Sequence, residues 1–163
     1  MPGLVQSALA PVDFSDARLV VEFGPGQGPF TRALLDRMPR DAILVTIDVS
    51  HRFTRFLQET IPDPRLEAVT GSAASLRSIL ARLGLGPVDH IVTGIPFSTI
   101  EPDTAARIVD ASADALKKDG QIIAYQMRDT VAPMLAERFA RVSTARVWSN
   151  IPPCRIYWAR TPL

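Results

Sequence analysis

Val20-Val21-Glu22-Phe23-Gly24-Pro25-Gly26-Gln27-Gly28-Pro29-Phe30 runs from a β-branched, apolar segment into a glycine turn and out of it into a helix start. Glycines at 24, 26 and 28 let the backbone turn sharply and approach a ligand with no Cβ in the way. Pro29 lacks an amide proton, so it suits the first position of a helix. A strand, a tight turn and a helix in succession open a βα unit, which argues for a parallel sheet. The spacing is G-x-G-x-G, and neither Gly24 nor Gly26 opens a G-x-G-x-x-G, so the dinucleotide fingerprint is not met.

The same alternation continues along the chain. Strands are expected at 19–23, 43–48, 66–70, 88–93 and 120–126, with helices near 29–38, 50–59, 73–83 and 102–118. In the last of these, Pro102 fits the first turn and Ala105, Ile108, Val109, Ser112 and Leu116 line one face, with Lys117, Lys118 and Gly120 closing it. After a short helix near 130–138, two β-rich segments, 139–149 and 154–160, are joined through Ile151-Pro152-Pro153. Strands linked so closely pair antiparallel, because a parallel return needs a long crossover. The stretch 1–18 carries the weakest pattern, with at most a helical turn or two in residues 4–9.

The second expected strand, Ile43-Leu44-Val45-Thr46-Ile47, ends in Asp48. An acid about 20 residues beyond such a glycine turn can accept hydrogen bonds from ribose hydroxyls, and ligands of open α/β sheets sit outside the carboxyl ends of the strands. Glu22, Gly24, Pro25, Gly26, Gly28 and Asp48 would then face one crevice. The competing reading makes Asp48 the cap of the next helix. The fourth strand ends in Thr93-Gly94-Ile95-Pro96-Phe97. A turn there would expose carbonyls beside an apolar Phe97 wall, or be a plain loop leading to the next helix.

Composition sets the outer limits. The 163 residues suffice for one self-standing domain, 1–163. No apolar run reaches the roughly 18 residues of a membrane span, and no signal peptide is read at the N-terminus. One cysteine, Cys154, excludes an internal disulfide, and no His/Cys cluster has metal-ligand spacing, so no metal and a reducing cytoplasm are expected. A net charge of +1 gives no electrostatic footprint for nucleic acid. Residues 128–163 nevertheless hold six arginines against Asp129 and Glu137.

Residues 19–97 resemble a class I S-adenosylmethionine-dependent methyltransferase. The turn from Glu22 to Gly28 resembles its first motif, Asp48 its second, and Gly94-Ile95-Pro96-Phe97 its fourth. More narrowly, the chain is similar to bacterial phospholipid N-methyltransferases, with the ribosomal RNA adenine dimethyltransferases as more distant kin. Gly94 stands where adenine N-methylases usually carry Asn or Asp, and Trp148-Ser149-Asn150-Ile151-Pro152-Pro153-Cys154-Arg155-Ile156-Tyr157 resembles the lipid family's R-N-x-P-P-A-x-V-W signature. The resemblance implies an α/β, Rossmann-like fold: a mostly parallel sheet, helices on both faces and a C-terminal antiparallel hairpin. It implies S-adenosylmethionine as cofactor, held by the glycine turn, Asp48, Ser72 and Ala73. Ser72 stands where the third motif usually supplies an acid.

It further implies a lipid amine such as phosphatidylethanolamine, or another small molecule, as methyl acceptor, with peripheral contact at the inner face of the membrane and no nucleic-acid substrate. Gly94, Ile95 and Tyr125 are candidates for orienting the amine, and Pro96, Phe97, Asn150 and Arg155 for binding the substrate. Arg155 is the suggested phosphate fork, against a plainer reading of Asn150 and Arg155 as turn chemistry and a surface charge. Two other readings stay open: an RNA or small-molecule N- or O-methyltransferase, and a cofactor-binding domain without activity. His51, at a helix start, and His90, at a strand start, are read as surface or structural. Cys154, Trp148, Tyr157 and Trp158 are read as strand packing, with rest at a lipid interface as the alternative for an aromatic at this edge.

Overall fold

Buried apolar strands alternating with amphipathic helices build one seven-stranded sheet, ordered β3-β2-β1-β4-β5-β7-β6. The computed structural model describes residues 2–163. The strands are β1 (Leu19–Phe23), β2 (Ile43–Asp48), β3 (Leu66–Thr70), β4 (Val88–Thr93), β5 (Leu116–Gln126), β6 (Phe139–Val147) and β7 (Cys154–Pro162). The first five pair in parallel. β7 returns antiparallel to β5, and β6 antiparallel to β7. The expected sheet and hairpin are therefore present.

Helices cover both faces. The α1 (Pro2–Leu9), α2 (Pro29–Arg37) and α3 (His51–Thr60) helices share one apolar cluster with Val20, Leu44 and Val92. The α4 (Leu76–Leu83), α5 (Pro102–Ala115) and α6 (Val131–Arg138) helices share another with Val21, Val45 and Ile91. Alternate residues of each central strand thus feed opposite cores, which is why these strands read as unbroken apolar runs. All five residues of β1 are buried, Glu22 among them. The chain moves outward from β1 to β3 and then returns to β4 on the other side of β1, making the β1/β4 boundary the switch point where such sheets bind ligands.

Three departures from the sequence reading have local causes. The helix expected to run to 118 stops at Ala115, because Leu116 already pairs with Val88. The register then jumps, so that Gln121 faces His90 and residues 117–120 form a bulge. Lys117 does not cap the helix; its Nζ meets Asp89 Oδ1 at 2.8 Å. Gly120 is required inside the bulge, since a Cβ there would lie 2.9 Å from the Lys117 carbonyl.

The N-terminal stretch carries more than its pattern suggested. Leu4, Val5, Ala8 and Leu9 are buried, and Trp158 Nε1 donates to the Ala8 carbonyl at 2.9 Å. In the helix expected at 73–83, a 3₁₀ turn, Ala73–Ser75, precedes α4. Among the described residues, no helix is long and apolar enough to cross a membrane.

Candidate active site

At the end of β1 the chain enters left-handed backbone three times, with φ of 66° at Gly24, 57° at Gly26 and 91° at Gly28. The three glycines are needed for different reasons. A Cβ on Gly28 would sit 2.8 Å from Leu57 Cδ2, so this position lets α3 pack against the turn. A Cβ on Gly24 would press on Ile95 at 3.3 Å, which joins the β1 turn to the β4 loop. Around Gly26, apart from its own chain neighbours, no atom of the described residues comes within 4 Å of the would-be Cβ. Its open side is the kind of cradle in which backbone can lie against a ligand.

Asp48 ties this turn to the next. Its Oδ2 accepts from the Gly26 N–H at 3.3 Å and its Oδ1 from the Ser50 N–H at 2.9 Å. The helix cap is Ser50, whose Oγ accepts from the Phe53 N–H. Asp48 therefore stands behind the cap, and its carboxylate retains lone pairs for a ligand hydroxyl. Ser72 Oγ accepts from the Ala74 N–H and caps the 3₁₀ turn.

A cavity of about 340 Å³ lies where these pieces meet, between Gly24 and Asp48 on one side and Ser72, Ala73, Gly94 and Ile95 on the other. Pro96, Ile100 and Ile108 add apolar wall. A carboxylate beside open backbone, facing an apolar slot, suits a ribose joined to a flat base, so the residues fit an adenosyl cofactor. A larger hollow, about 710 Å³, runs along α4 and α5 and includes none of the strand-end acids.

Glu22 lies under the turn, fully buried. Thr31 Oγ1 donates to its Oε2 at 2.6 Å, while Oε1 meets no protein donor among the described residues. Burial, only partly offset by the Thr31 hydrogen bond and reinforced by the Asp48 charge, pushes its pKa up to about 8. Beside it, Tyr125 stacks on Phe30 with centroids 4.2 Å apart. Burial and the nearby Glu22 raise the Tyr125 pKa, so the phenol keeps its proton. Its hydroxyl occupies the place that a Gly94 Cβ would take. A side chain at position 94 and this phenol exclude each other.

The sequence reading passed over Gln126. Its Nε2 donates to the Ile95 carbonyl at 2.8 Å and its Oε1 accepts from the Phe97 N–H at 3.2 Å. One buried amide thus grips the β4 loop on both sides of Pro96. Ile95, a candidate for orienting an amine, has its carbonyl engaged by this clamp, and the buried Phe97 ring belongs to the α4–α6 core. A polar residue facing inward at the end of a central strand was the available signal.

The hairpin residues lie at the same edge, because Arg155 pairs with Gln126 across β7 and β5. Arg155 Nη1 faces Asp129 Oδ2 at 3.3 Å, and Asn150 is half-buried in the turn. Cys154 is buried, its thiol donating toward the Gln126 carbonyl at 3.5 Å. His90 lies at the opposite end of the sheet, its Nε2 3.2 Å from the Asp13 carbonyl and its ring edge-on to Phe14. His51 Nδ1 approaches Thr70 Oγ1 at 3.4 Å.

Known proteins agree with this geometry. The chain is 26% identical to an ornithine lipid N-methyltransferase of Singulisphaera acidiphila over 98% of its own length and 84% of that protein's. It is 30% identical to ribosomal RNA small subunit methyltransferase H of Aromatoleum aromaticum, over 69% of this chain but 38% of that one. The N-methyltransferase NodS of Bradyrhizobium japonicum, solved with S-adenosyl-L-homocysteine, superposes with a TM-score of 0.79 at 18% identity, covering 99% of this chain and 85% of that one. Residues 5–149 match the model of the methyltransferase small domain, and the chain belongs to that family of S-adenosylmethionine-dependent methyltransferases.

Proposed function

We propose that this enzyme N-methylates the amine of a polar lipid, phosphatidylethanolamine or an amino-acid-headed lipid of the ornithine type, with residues 1–163 acting as one domain. The observation that carries this reading is the contact between Tyr125 and Gly94. A side-chain amide or carboxylate at position 94, the group that adenine N-methylases usually bring to the acceptor nitrogen, has no room beneath the phenol. The likeness to the ornithine lipid enzyme, which spans nearly the whole chain, supports the same acceptor.

Within this reading Gly24, Pro25, Gly26, Asp48, Ser72 and Ala73 hold the cofactor, and Gly28 shapes the turn. Glu22, its pKa raised to about 8 by burial, lies beneath it largely protonated at neutral pH. S-adenosylmethionine, when bound, supplies an electrophilic methyl group. The acceptor amine, with a pKa of roughly 10 in water, must lose a proton before it attacks. The Gly94 carbonyl and the Tyr125 hydroxyl orient it, Pro96 adds apolar wall while Phe97 anchors the loop from the core, and Asn150 and Arg155 meet the headgroup. In-line positioning of amine and methyl is the main catalytic contribution, and such positioning supplies several kcal/mol.

The experiment is transfer of labelled methyl from S-adenosylmethionine to detergent-dispersed amine lipids and, in parallel, to ribosomal RNA. Label in the lipid fraction is expected. Label confined to RNA, or absent from both despite cofactor binding, would overturn the assignment.

A further inference from the structure

Exposed apolar side chains are unevenly distributed over this molecule. Among the described residues, five of the nine large ones open to solvent lie at the edge where the parallel strands end: Val49, Phe53, Met127, Trp148 and Ile151. Ile151 is 97% exposed, Val49 80%, Trp148 69% and Met127 63%. They form two groups. Val49 and Phe53 follow β2, Met127 follows β5, and Trp148 and Ile151 sit in the turn between β6 and β7. In the strand order the crevice at β1/β4 lies between them. At about 4.8 Å per strand, the β2 and β5 ends stand about 14 Å apart.

Charge accompanies the hairpin group. Arg146 lies over the Trp148 ring at 4.9 Å, Arg155 pairs across from it, and Arg128 follows β5, against Asp129 alone. The acids Glu101 and Asp103 stand at the start of α5, on the other side of the sheet. Val147 and Cys154, which anchor the turn, pack in the α1–α3 core. The apolar and basic groups thus lean toward the α1–α3 side.

From this placement we infer that the carboxyl edge of the sheet docks on an anionic lipid surface, the residue 148–153 turn entering the headgroup layer on one side of the crevice and Phe53 on the other, while Val49 borders the cofactor cavity itself. This deepens the lipid-amine reading and rests on it: a substrate anchored in a bilayer is presented at the surface the crevice faces. Trp and Arg side by side favour the membrane–water boundary. The turn goes no deeper, because its irregular backbone cannot satisfy its polar groups in hydrocarbon. A single-stranded nucleic acid fits less well, since Ile151 and Val49, the two most exposed of the nine, offer no ring for a base to stack on.

The test uses vesicles of phosphatidylcholine with phosphatidylglycerol, vesicles of phosphatidylcholine alone, and brominated lipids as quenchers of tryptophan fluorescence. The expected result is binding to the anionic vesicles with bromolipid quenching that disappears in Trp148→Phe. Ile151→Asp should bind the vesicles about tenfold more weakly with unchanged affinity for S-adenosylmethionine. Wild-type vesicle binding by Ile151→Asp together with an unquenched Trp148 would overturn the inference, as would a wild type that ignores vesicles and binds single-stranded RNA. Methylation of amine lipid in detergent micelles separates the two claims. Its absence beside normal vesicle binding removes the lipid-amine reading and leaves the docking surface standing. Its presence without vesicle binding removes the docking surface alone.

Discussion

A fully buried carboxyl group under a glycine turn makes Glu22 the most sensitive residue of the site. Its pKa rises from 4.5 to about 8 on folding, so the folded chain binds the extra proton between those values. The associated stability is fully present below pH 4.5 and is lost as pH rises through about 8. Glu22→Gln cannot ionise. At pH 9 it should therefore be more stable than the wild type by on the order of 4–5 kcal/mol, and near pH 4 about equal to it. Thermal or denaturant unfolding at the two pH values measures the difference, and an equal offset at both would contradict the assignment.

The neighbouring pair yields a second expectation. Gly94→Ala places a methyl group against the Tyr125 hydroxyl and should cost about 1–3 kcal/mol as the ring leaves Phe30. Tyr125→Phe keeps the stack and loses only the hydroxyl. Its turnover should fall about tenfold to a hundredfold with cofactor affinity unchanged, if the phenol orients the acceptor. Steady-state kinetics alongside calorimetry distinguishes this outcome from a purely structural role, in which turnover would be retained.

Among the elements, the loop after β4 depends on a residue of β5. Gln126→Leu strips partners from both the Phe97 N–H and the Ile95 carbonyl and should destabilise the fold by about 1–3 kcal/mol for each group left buried and unpaired. Gln126→Glu retains an acceptor for Phe97 and should recover part of that loss, as parallel melting curves would show. The strands around this loop were legible because β1 through β4 pair locally repeated patterns: β-branched runs, each followed by a helix. The β5 start was not, because Leu116 continues the apolar face of α5 in sequence and only pairing with Val88 makes it strand. In the same way residues 4–9 form too short a pattern to establish a helix alone, and α1 exists because Leu4, Ala8 and Leu9 find the sheet face beside Trp158. Glycine turn and strand-end acid could be read directly, since their chemistry lies in residue type and spacing. The Gln126 clamp and the Tyr125–Gly94 exclusion connect residues 29 to 31 positions apart, and only the fold brings them together.

At the scale of the whole molecule, function gathers at one edge. The switch point between β1 and β4, the loop after β4, the clamp from β5 and the hairpin turn all emerge at the carboxyl ends of the parallel strands, while His90 and the bulge of β5 stabilise the opposite end. The claim beneath everything else is that S-adenosylmethionine binds at the Gly26–Asp48 junction. It is tested most directly by calorimetric titration of S-adenosylmethionine into the wild type, Gly26→Val and Asp48→Asn, with a melting curve for each. The wild type should bind, Asp48→Asn should bind more weakly by about 1.5–3 kcal/mol, and Gly26→Val should melt as a folded protein without detectable binding. Wild-type affinity in folded Gly26→Val and in Asp48→Asn would contradict it.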